Sequence, residues 1–209
     1  MKFELAKYEI KKQKIVNAAF KCIYEQGIEG TTMRSIAKEA KINQALLHYY
    51  FKDKDHLLEE FLLTLFNRFI YDIEKRYKAS DEPRKKLEAF FSAGKDFLEK
   101  QRELFVVMID VWTYCFRHKK LQVDYAGLNR RLTGVMKDIV STGKKDGVFN
   151  DVGEDTLAIL FVSFVVGIGC LWHMDNRSFN LSDEFDIMTR NLRQLILKDY
   201  NNDENKTLL

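Results

Sequence analysis

The sequence contains one proline, Pro83, in 209 residues, and no run of valine, isoleucine or threonine bounded by turn residues. β-Sheets need frequent turns, which usually show in the sequence as proline and glycine signals. Their scarcity excludes most sheet architectures and predicts an all-α fold. With 46% hydrophobic and 31% charged residues, the composition is ordinary for a globular protein and argues against wholesale disorder.

Cysteine is also scarce. Cys22, Cys115 and Cys170 are odd in number, far apart and set among apolar residues. This pattern predicts buried, reduced thiols and a cytoplasmic protein rather than a disulfide framework. The N-terminal residues lack the apolar stretch of a signal peptide, which supports the same expectation.

Long hydrophobic runs are nearly absent. The longest uncharged run, Thr156 to Trp172, has 17 residues and contains Ser163 and two glycines. A membrane span needs roughly 17–25 residues, so this run is at the short edge of that range. A buried helix is the better interpretation, and no membrane partner is expected.

Recognisable catalytic motifs are missing. The sequence has no HExxH, GxSxG, CxxC, Walker A or dinucleotide-binding glycine pattern. The four histidines, at positions 48, 56, 118 and 173, have no metal-ligand spacing. We therefore expect neither an enzyme nor a bound metal or other cofactor.

The net charge is only +3, but it is unevenly distributed. Residues 1–54 hold eleven Lys and Arg against six Asp and Glu, whereas the remainder holds twenty-three against twenty-five. A basic N-terminal quarter on a near-neutral body is typical of a polyanion-binding protein. A solvated, lysine-rich helix face accounts for the charge equally well.

The N-terminal residues have the pattern of three helices. Residues 1–9 are predicted to be a loose basic lead-in. A first helix follows from about Ile10 to Gln26, with an apolar face of Ile15, Ala18, Ala19, Cys22 and Ile23. Gly27 suits a left-handed C-cap, and Thr31 or Thr32 suits the next N-cap.

The second helix is predicted to end near Ala40. Lys41 to Asn43 then form a turn, and a short third helix begins after Asn43 and reaches about Tyr49. Two short helices joined by a tight turn are typical of a helix–turn–helix. In this motif the first helix supports the second, and the second enters a major groove of DNA.

Six longer helices are predicted beyond this unit, giving about nine in total. Asp53 caps the first, from Lys54 to about Lys78, whose buried face is predicted to be Leu57, Leu58, Phe61, Leu65 and Phe69. Pro83 begins the next, where its missing N–H costs nothing. The others are expected at about 103–118, 121–145, 154–174 and from 183 to about 200. We place a domain boundary between residues 54 and 55, with domains 1–54 and 55–209.

Residues 15–58 resemble the DNA-binding domain of the TetR family of transcriptional regulators. The matching residues are Ile15, Ala18, Ala19, Gly27, Thr32 to Ala40, Leu47 to Lys54 and Leu57. The resemblance implies an N-terminal three-helix helix–turn–helix domain followed by a larger helical domain for ligand binding and dimerisation. Residues 112–148 and the apolar helix after them are somewhat similar to the BetI-type subgroup, from which no ligand is inferred.

The sequence departs from the family pattern at two positions. Lys41 stands where the family usually has glycine, and a positive φ there would cost lysine about 1 kcal/mol. His48 stands where the family usually has the first tyrosine of an aromatic motif. An imidazole can still donate to a phosphate.

The resemblance implies a set of DNA contacts. Gln44 is the best base reader, because its amide can pair with the N6/N7 edge of adenine. The predicted base contacts are Gln44, Ala45, Leu46 and Tyr49. The predicted phosphate contacts are Thr32, Arg34, Lys41, His48, Tyr50, Lys52 and Lys54. Leu46 and Tyr50 could instead pack into the core, and Lys2, Lys7, Lys11, Lys12 and Lys14 could form either an arm along the duplex or a solvated face.

The larger domain is expected to hold an effector pocket, since the family's bodies usually bind an inducer. The candidate lining residues are Phe90, Phe91, Phe97, Met108, Trp112, Tyr114, Cys115 and His173. A filled aromatic core is the alternative for each of them.

The last two helices are the candidate dimer interface, because their apolar faces are broad. The residues concerned are Gly167, Gly169, Leu171, Phe185, Met188, Leu192 and Leu195. Packing within one chain is the alternative.

These expectations combine into a ligand-responsive regulator, most often a repressor in this family. It would bind a near-palindromic, double-stranded operator as a homodimer and be released by a small apolar or aromatic effector. The alternative is a helical interaction protein without sequence-specific DNA binding.

Overall fold

The computed structural model describes the backbone of residues 2–200 and the side chains of 7–118, 126–127 and 129–200. Over this part of the chain the fold is all-α, as predicted. The helices are α1 (Lys2–Gly30), α2 (Met33–Glu39), α3 (Gln44–Tyr50), α4 (Lys54–Tyr77), α5 (Pro83–Lys100), α6 (Arg102–Cys115), α7 (Lys119–Lys145), α8 (Glu154–Met174) and α9 (Leu181–Ile196). Phe149 and Leu197 form an isolated antiparallel bridge.

The chain forms two compact units. Unit 1 comprises the residues up to Arg68 together with Glu103–Leu128, and unit 2 comprises Phe69–Arg102 together with the residues from Asn129 onward. Helices α4 and α7 therefore contribute to both units. The units are defined by packing, and the functional boundary between residues 54 and 55 stays a prediction.

The expected loose lead-in at residues 1–9 is wrong over its described part, because α1 already begins at Lys2. No proline or glycine occurs before Gly27, and lysine, glutamate, leucine and alanine are good helix formers. The helix continues to Gly27, whose φ of 72° is the positive value predicted for a C-cap glycine, and a further helical turn reaches Gly30.

The core of unit 1 is aliphatic at α1, α2 and α3 and aromatic at α4. Ile15, Ala19, Ile36 and Leu47 are fully buried. In the part of α4 that belongs to unit 1, the buried residues are Leu57, Leu58, Phe61, Leu62 and Phe66. The predicted burial of Leu65 and Phe69 is wrong, since both are half-buried, whereas Leu62 and Phe66 face the core.

Helices α5, α8 and α9 build the core of unit 2. The Phe161 ring of α8 lies between Phe90 and Phe91, with centroid distances of 5.0 and 5.2 Å. At Gly94 a Cβ atom would come within 2.8 Å of Phe161, so glycine is needed for this close approach. Two ion pairs tie α5 to α9: a bidentate Arg193–Glu88 pair, at 2.6 and 2.7 Å, and Lys95–Asp186 at 2.7 Å.

Helix α9 ends at Ile196, four residues before the predicted end. Leu197 leaves the helix with extended φ and ψ of −87° and 132°, and it pairs with Phe149. The side-chain amide of Asn150 donates to the Leu195 carbonyl, at 2.9 Å. These contacts between the α7–α8 loop and the end of α9 replace the last expected helical turn.

Substituting Gly143 by alanine is expected to destabilise the protein strongly. A Cβ atom there would lie 2.1–2.5 Å from three ring carbons of the fully buried Phe149. Such overpacking costs about 1–3 kcal/mol or more. Urea denaturation measures the free energy of unfolding.

Gly134→Ala is the matched control on the same helix, because nothing lies within 4 Å of its Cβ position. Its free energy of unfolding should rise by about 0.5–1 kcal/mol. Equal effects of the two variants would contradict the prediction.

Helix α8 is the one described helix long and apolar enough to cross a membrane by length and composition. Only one face is buried within the chain, through Leu157, Ala158, Phe161, Ile168 and Gly169. Helix α8 is therefore buried along one face, as predicted, whereas its opposite face is exposed and apolar.

Candidate DNA-binding site

Helix α2 begins with a complete capping box. The Thr32 hydroxyl accepts a hydrogen bond from the Ser35 backbone N–H, at 3.1 Å, and the Ser35 hydroxyl oxygen accepts one from the Thr32 backbone N–H, at 2.9 Å. This confirms Thr32, rather than Thr31, as the N-cap. The Thr31 hydroxyl is buried and donates to the Gly27 carbonyl, at 2.8 Å.

The turn between α2 and α3 has a positive φ at the position where the family usually has glycine. Lys41 has a φ of 54°, and it is the one non-glycine residue with positive φ in the described chain. Lysine in this left-handed backbone conformation therefore costs about 1 kcal/mol of conformational energy. Asn43 caps α3 as predicted, its side-chain oxygen accepting from the Leu46 N–H at 2.7 Å.

Helix α3 presents most of its predicted base contacts to solvent. Leu47 and Tyr50 are buried and attach the helix to the core. Gln44 and Ala45 are exposed, the Tyr49 side chain is 71% exposed, and Leu46 is half-buried. The exposed residues of α3 are therefore polar and aromatic, and their DNA contacts stay a prediction.

Most of the predicted phosphate contacts are also exposed. Thr32, Arg34, Lys41, His48 and Lys52 are all exposed. Nδ1 of His48 lies 3.2 Å from the Lys52 carbonyl, which can only accept, so this contact places the proton on Nδ1.

Tyr50 differs from the other predicted phosphate contacts because only 8% of it is exposed. Burial raises the pKa of its hydroxyl, and the charges of Tyr49 and Tyr8 act in the same direction. The hydroxyl is therefore a neutral donor at physiological pH, and its ring packs against that of Tyr8, with centroids 4.7 Å apart.

Lys54 has an internal partner as well as a position beside the DNA face. Its ammonium donates to the Ile28 carbonyl, at 2.5 Å, and lies 5.9 Å from the centre of the Tyr114 ring. The Ile28 N–H donates to the Asp110 carboxylate, at 2.6 Å. Both backbone polar groups of the buried residue Ile28 are thus held by side chains of α4 and α6. No local sequence pattern indicates these two contacts.

A second contact missed by the sequence analysis joins α1 to α3. The Tyr8 ring lies 4.7 Å from that of Tyr50 and 6.4 Å from that of Tyr49, and the latter two are 5.2 Å apart. A signal was available, because Tyr8 continues the helical spacing of Ile15 and Ala19.

The candidate pocket residues are divided between the units. Met108, Trp112, Tyr114 and Cys115 lie on α6 in unit 1, whereas Phe90, Phe91, Phe97 and His173 lie in unit 2. Phe90 and Phe91 pack on Phe161 as part of a filled aromatic core. Burial raises the pKa of Tyr114, and the Asp55 carboxylate, 3.4 Å from its hydroxyl, raises it further.

Unit 2 also has an open groove of about 550 Å³ that contains none of the candidate pocket residues. Arg102 stacks over the Trp172 ring there, 4.3 Å from its centre. The other lining residues are Glu99, Asn176, Arg177, Phe179, Asn180, Leu181 and Ser182.

The candidate dimer-interface residues differ in exposure. Gly169, Phe185 and Leu192 are buried within unit 2 and serve its core, and Met188 is half-buried. Leu171 and Leu195 are 59% and 51% exposed, and nothing lies within 4 Å of a Cβ placed at Gly167. Further exposed apolar residues on α8 and α9 are Ile159, Leu160, Met174 and Ile187.

A family model matches the N-terminal residues of the chain. Residues 15–61 match the model described as bacterial regulatory proteins, tetR family. The matched range contains α2, α3 and the start of α4, with the whole exposed face around Gln44 and Tyr49.

Curated relatives are helix–turn–helix regulators. The transcriptional regulator BetI of Burkholderia mallei is 29% identical over 120 residues, which is 57% of this chain and 62% of the relative. The BetI of Burkholderia ambifaria is 29% identical over 106 residues, 50% of this chain and 55% of the relative. The match thus spans less than two thirds of the length of these relatives.

Solved structures share the fold over most of the chain. A Saccharomonospora viridis structure, named as a transcriptional regulator and determined in complex with choline, has a TM-score of 0.80 at 21% identity and covers 90% of this chain and 97% of its own. A TetR regulator from Haloarcula marismortui has a TM-score of 0.80 at 20% identity, covering 90% and 99%. FadR from Bacillus subtilis, in complex with stearoyl-CoA, has a TM-score of 0.71 at 18% identity, covering 83% and 93%.

The matched domain, its helix–turn–helix geometry and the shared fold lead to one assignment. Residues 15–61 form a helix–turn–helix domain of the kind described by the tetR family of bacterial regulatory proteins.

Proposed function

We propose that the chain is a ligand-responsive transcriptional repressor that binds a near-palindromic operator as a homodimer. The observation that carries this proposal is the exposure of Gln44, Ala45 and Tyr49 on α3 within a tetR-type domain whose Arg34, Lys41 and Lys52 are also exposed. A two-fold dimer would place two such helices in successive major grooves.

The proposed dimer uses the exposed apolar stripe of α8 and α9. Leu171 and Leu195 are more than half exposed in the single chain, and Gly167 leaves room for close backbone approach. Exposed apolar patches of this kind mark interaction sites. A second copy buries them in a two-fold, self-complementary arrangement.

The proposed effector is a small apolar or aromatic molecule. Two structures of the same fold, one in complex with choline and one with stearoyl-CoA, support ligand binding in general, whereas the apolar or aromatic class follows from the aromatic candidate residues such as Phe97 and Trp112. The effector binds more tightly to a conformation in which the two α3 helices of the dimer are wrongly spaced for the operator. The affinity for the operator then falls by the ratio of the effector's affinities for the two conformations.

Binding to its own promoter DNA is the direct test. Arg34, Lys41 and Lys52 are exposed cations on each protomer. A dimer therefore neutralises about six phosphates, and a plot of log K against log salt should have a slope of about −5. Fluorescence anisotropy at several salt concentrations measures both the affinity for the DNA and its dependence on salt. Equal affinity for promoter and random DNA at physiological salt would reject sequence-specific binding and favour a helical interaction protein.

A further inference from the structure

The backbone of Lys52 lies between two histidine rings. Nδ1 of His48, on α3, is 3.2 Å from the Lys52 carbonyl oxygen, and Nδ1 of His56, on α4, is 3.2 Å from the Lys52 backbone nitrogen. The carbonyl can only accept a hydrogen bond, and the N–H can only donate one. His48 is therefore protonated at Nδ1, whereas Nδ1 of His56 carries a lone pair.

The hydrogen bond of His48 determines what its other ring nitrogen can do. A neutral imidazole has one N–H, so when Nδ1 carries the proton, Nε2 carries a lone pair and can only accept. The oxygens of a DNA phosphate also only accept, so the neutral ring offers them no proton in this position. The imidazolium ion has a proton on both nitrogens, and it can donate from Nε2 to a phosphate while Nδ1 keeps its bond to the Lys52 carbonyl.

The surroundings of His48 supply no anion for the protonated ring. The side chain is exposed, and no carboxylate in the described part of the chain forms an ion pair with it. The titratable and charged groups around it are Tyr49 on its own helix, Lys52 and Asp53 in the connecting loop, and His56 on α4. Asp53 is the acidic one, and its carboxylate accepts the His56 backbone N–H at the start of α4, at 2.9 Å. A bound phosphate would provide the missing anion.

We propose that His48 binds an operator phosphate as the imidazolium ion, through Nε2–H, so that operator binding takes up one proton per protomer. The inference rests on the proposed function, because it assigns a protonation state to one of the phosphate contacts of that function. A charge-assisted hydrogen bond is roughly twice as strong as a neutral one, which favours the imidazolium over a neutral ring that releases the Lys52 carbonyl. A tyrosine, which the family usually has at this position, donates without ionising.

Operator affinity should fall as the pH rises. An ordinary imidazole carries its proton below about pH 6, where the phosphate contact is then available without proton uptake. Between about pH 7 and pH 8 the ordinary imidazole is mostly neutral, and each protomer must take a proton from solvent on binding. Two such sites in a dimer lower the affinity by up to about a hundredfold for each pH unit.

Isothermal titration calorimetry measures the proton uptake directly. The full chain without a histidine tag is titrated with an operator that it selects from random DNA, in buffers that differ in their enthalpy of ionisation. The dependence of the binding enthalpy on the buffer gives the number of protons. At about pH 7.5 the wild type should take up about two protons per dimer, since an ordinary imidazole is then about nine-tenths neutral. Specific binding without proton uptake would overturn the proposal.

Three variants assign the proton to one side chain. In His48→Gln an amide can donate to the phosphate without ionising, so the operator should still be bound and the proton uptake should be lost. His56→Asn removes the other imidazole but keeps an amide oxygen that can accept from the Lys52 N–H, and its uptake should equal that of the wild type. His118→Gln is the matched control, because His118 follows α6 and stacks on Tyr114 outside the helix–turn–helix. It should also keep the full uptake. Equal uptake in H48Q and the wild type would contradict the proposal, as would its loss in H56N or H118Q.

A further measurement uses the free protein. Nitrogen NMR shifts of the histidine rings at about pH 8, where ordinary imidazoles are neutral, distinguish the two tautomers. They should show the proton of His48 on Nδ1 and that of His56 on Nε2, and a His48 proton on Nε2 would overturn the proposal. If the wild type binds selected and random DNA equally, the proposed function fails; if it is specific but takes up no proton, the present inference alone fails.

Discussion

Replacing Gln44 and Tyr49 together by alanine is expected to abolish operator-specific binding while leaving the protein folded and its oligomeric state unchanged. Both side chains are exposed on α3 and contribute nothing to the core, which Leu47 and Tyr50 supply. A good bidentate contact discriminates between bases by about 1–3 kcal/mol, and two copies in a dimer double this to about 2–6 kcal/mol.

Anisotropy with selected and random duplexes measures the loss of specificity. Tyr24→Ala with Gln26→Ala is the matched control, because both residues are exposed on α1 and lie outside the predicted contacts. The control should bind as the wild type does. A Gln44 and Tyr49 variant that still prefers the operator would refute the assignment of α3 as the reading helix.

Substituting Leu171 and Leu195 by glutamate is expected to convert the dimer to monomers and to abolish operator binding with it. Both side chains are more than half exposed in the single chain, so the folded protomer tolerates the change. An uncompensated charge buried in the interface costs about 3–5 kcal/mol, which raises the dimer dissociation constant at least about a hundredfold.

Native mass spectrometry or light scattering in detergent-free buffer determines the oligomeric state. Leu63→Glu is the control, since Leu63 is also exposed but lies on α4 rather than on α8 or α9. It should remain dimeric. A wild type that is monomeric at micromolar concentration, or a double variant that stays dimeric, would exclude this stripe as the interface.

The features predicted correctly from the sequence are those determined by neighbouring residues. Thr32 and Asn43 cap helices through atoms three residues away, so their roles can be read locally. The family's usual glycine made a positive φ at Lys41 an open possibility, which the structure shows to be the case. The family resemblance placed Gln44, Ala45 and Tyr49 on the outer side of α3, and all three are exposed.

The features that were missed depend on contacts between distant residues. Asp110 and Ile28 are 82 positions apart, and nothing in either local pattern indicates that they meet. Tyr8 was assigned to a loose lead-in because its segment is basic, although helical spacing connects it to Ile15. Phe185 and Leu192 were placed at the dimer interface from their apolar spacing, which is the same for a buried face within one chain.

The backbone of Ile28 gives the α1–α2 junction an energetic dependence on two other helices. Its N–H donates to Asp110 of α6, and its carbonyl accepts from Lys54 of α4 as well as from the Thr31 N–H, while the residue is 1% exposed. A hydrogen bond to a charged group contributes about 1.5–3 kcal/mol. This is comparable with the typical coupling free energy between two sites in an allosteric protein. We therefore expect a movement of α4 or α6 to act on the α1–α2 junction through the backbone of this one residue.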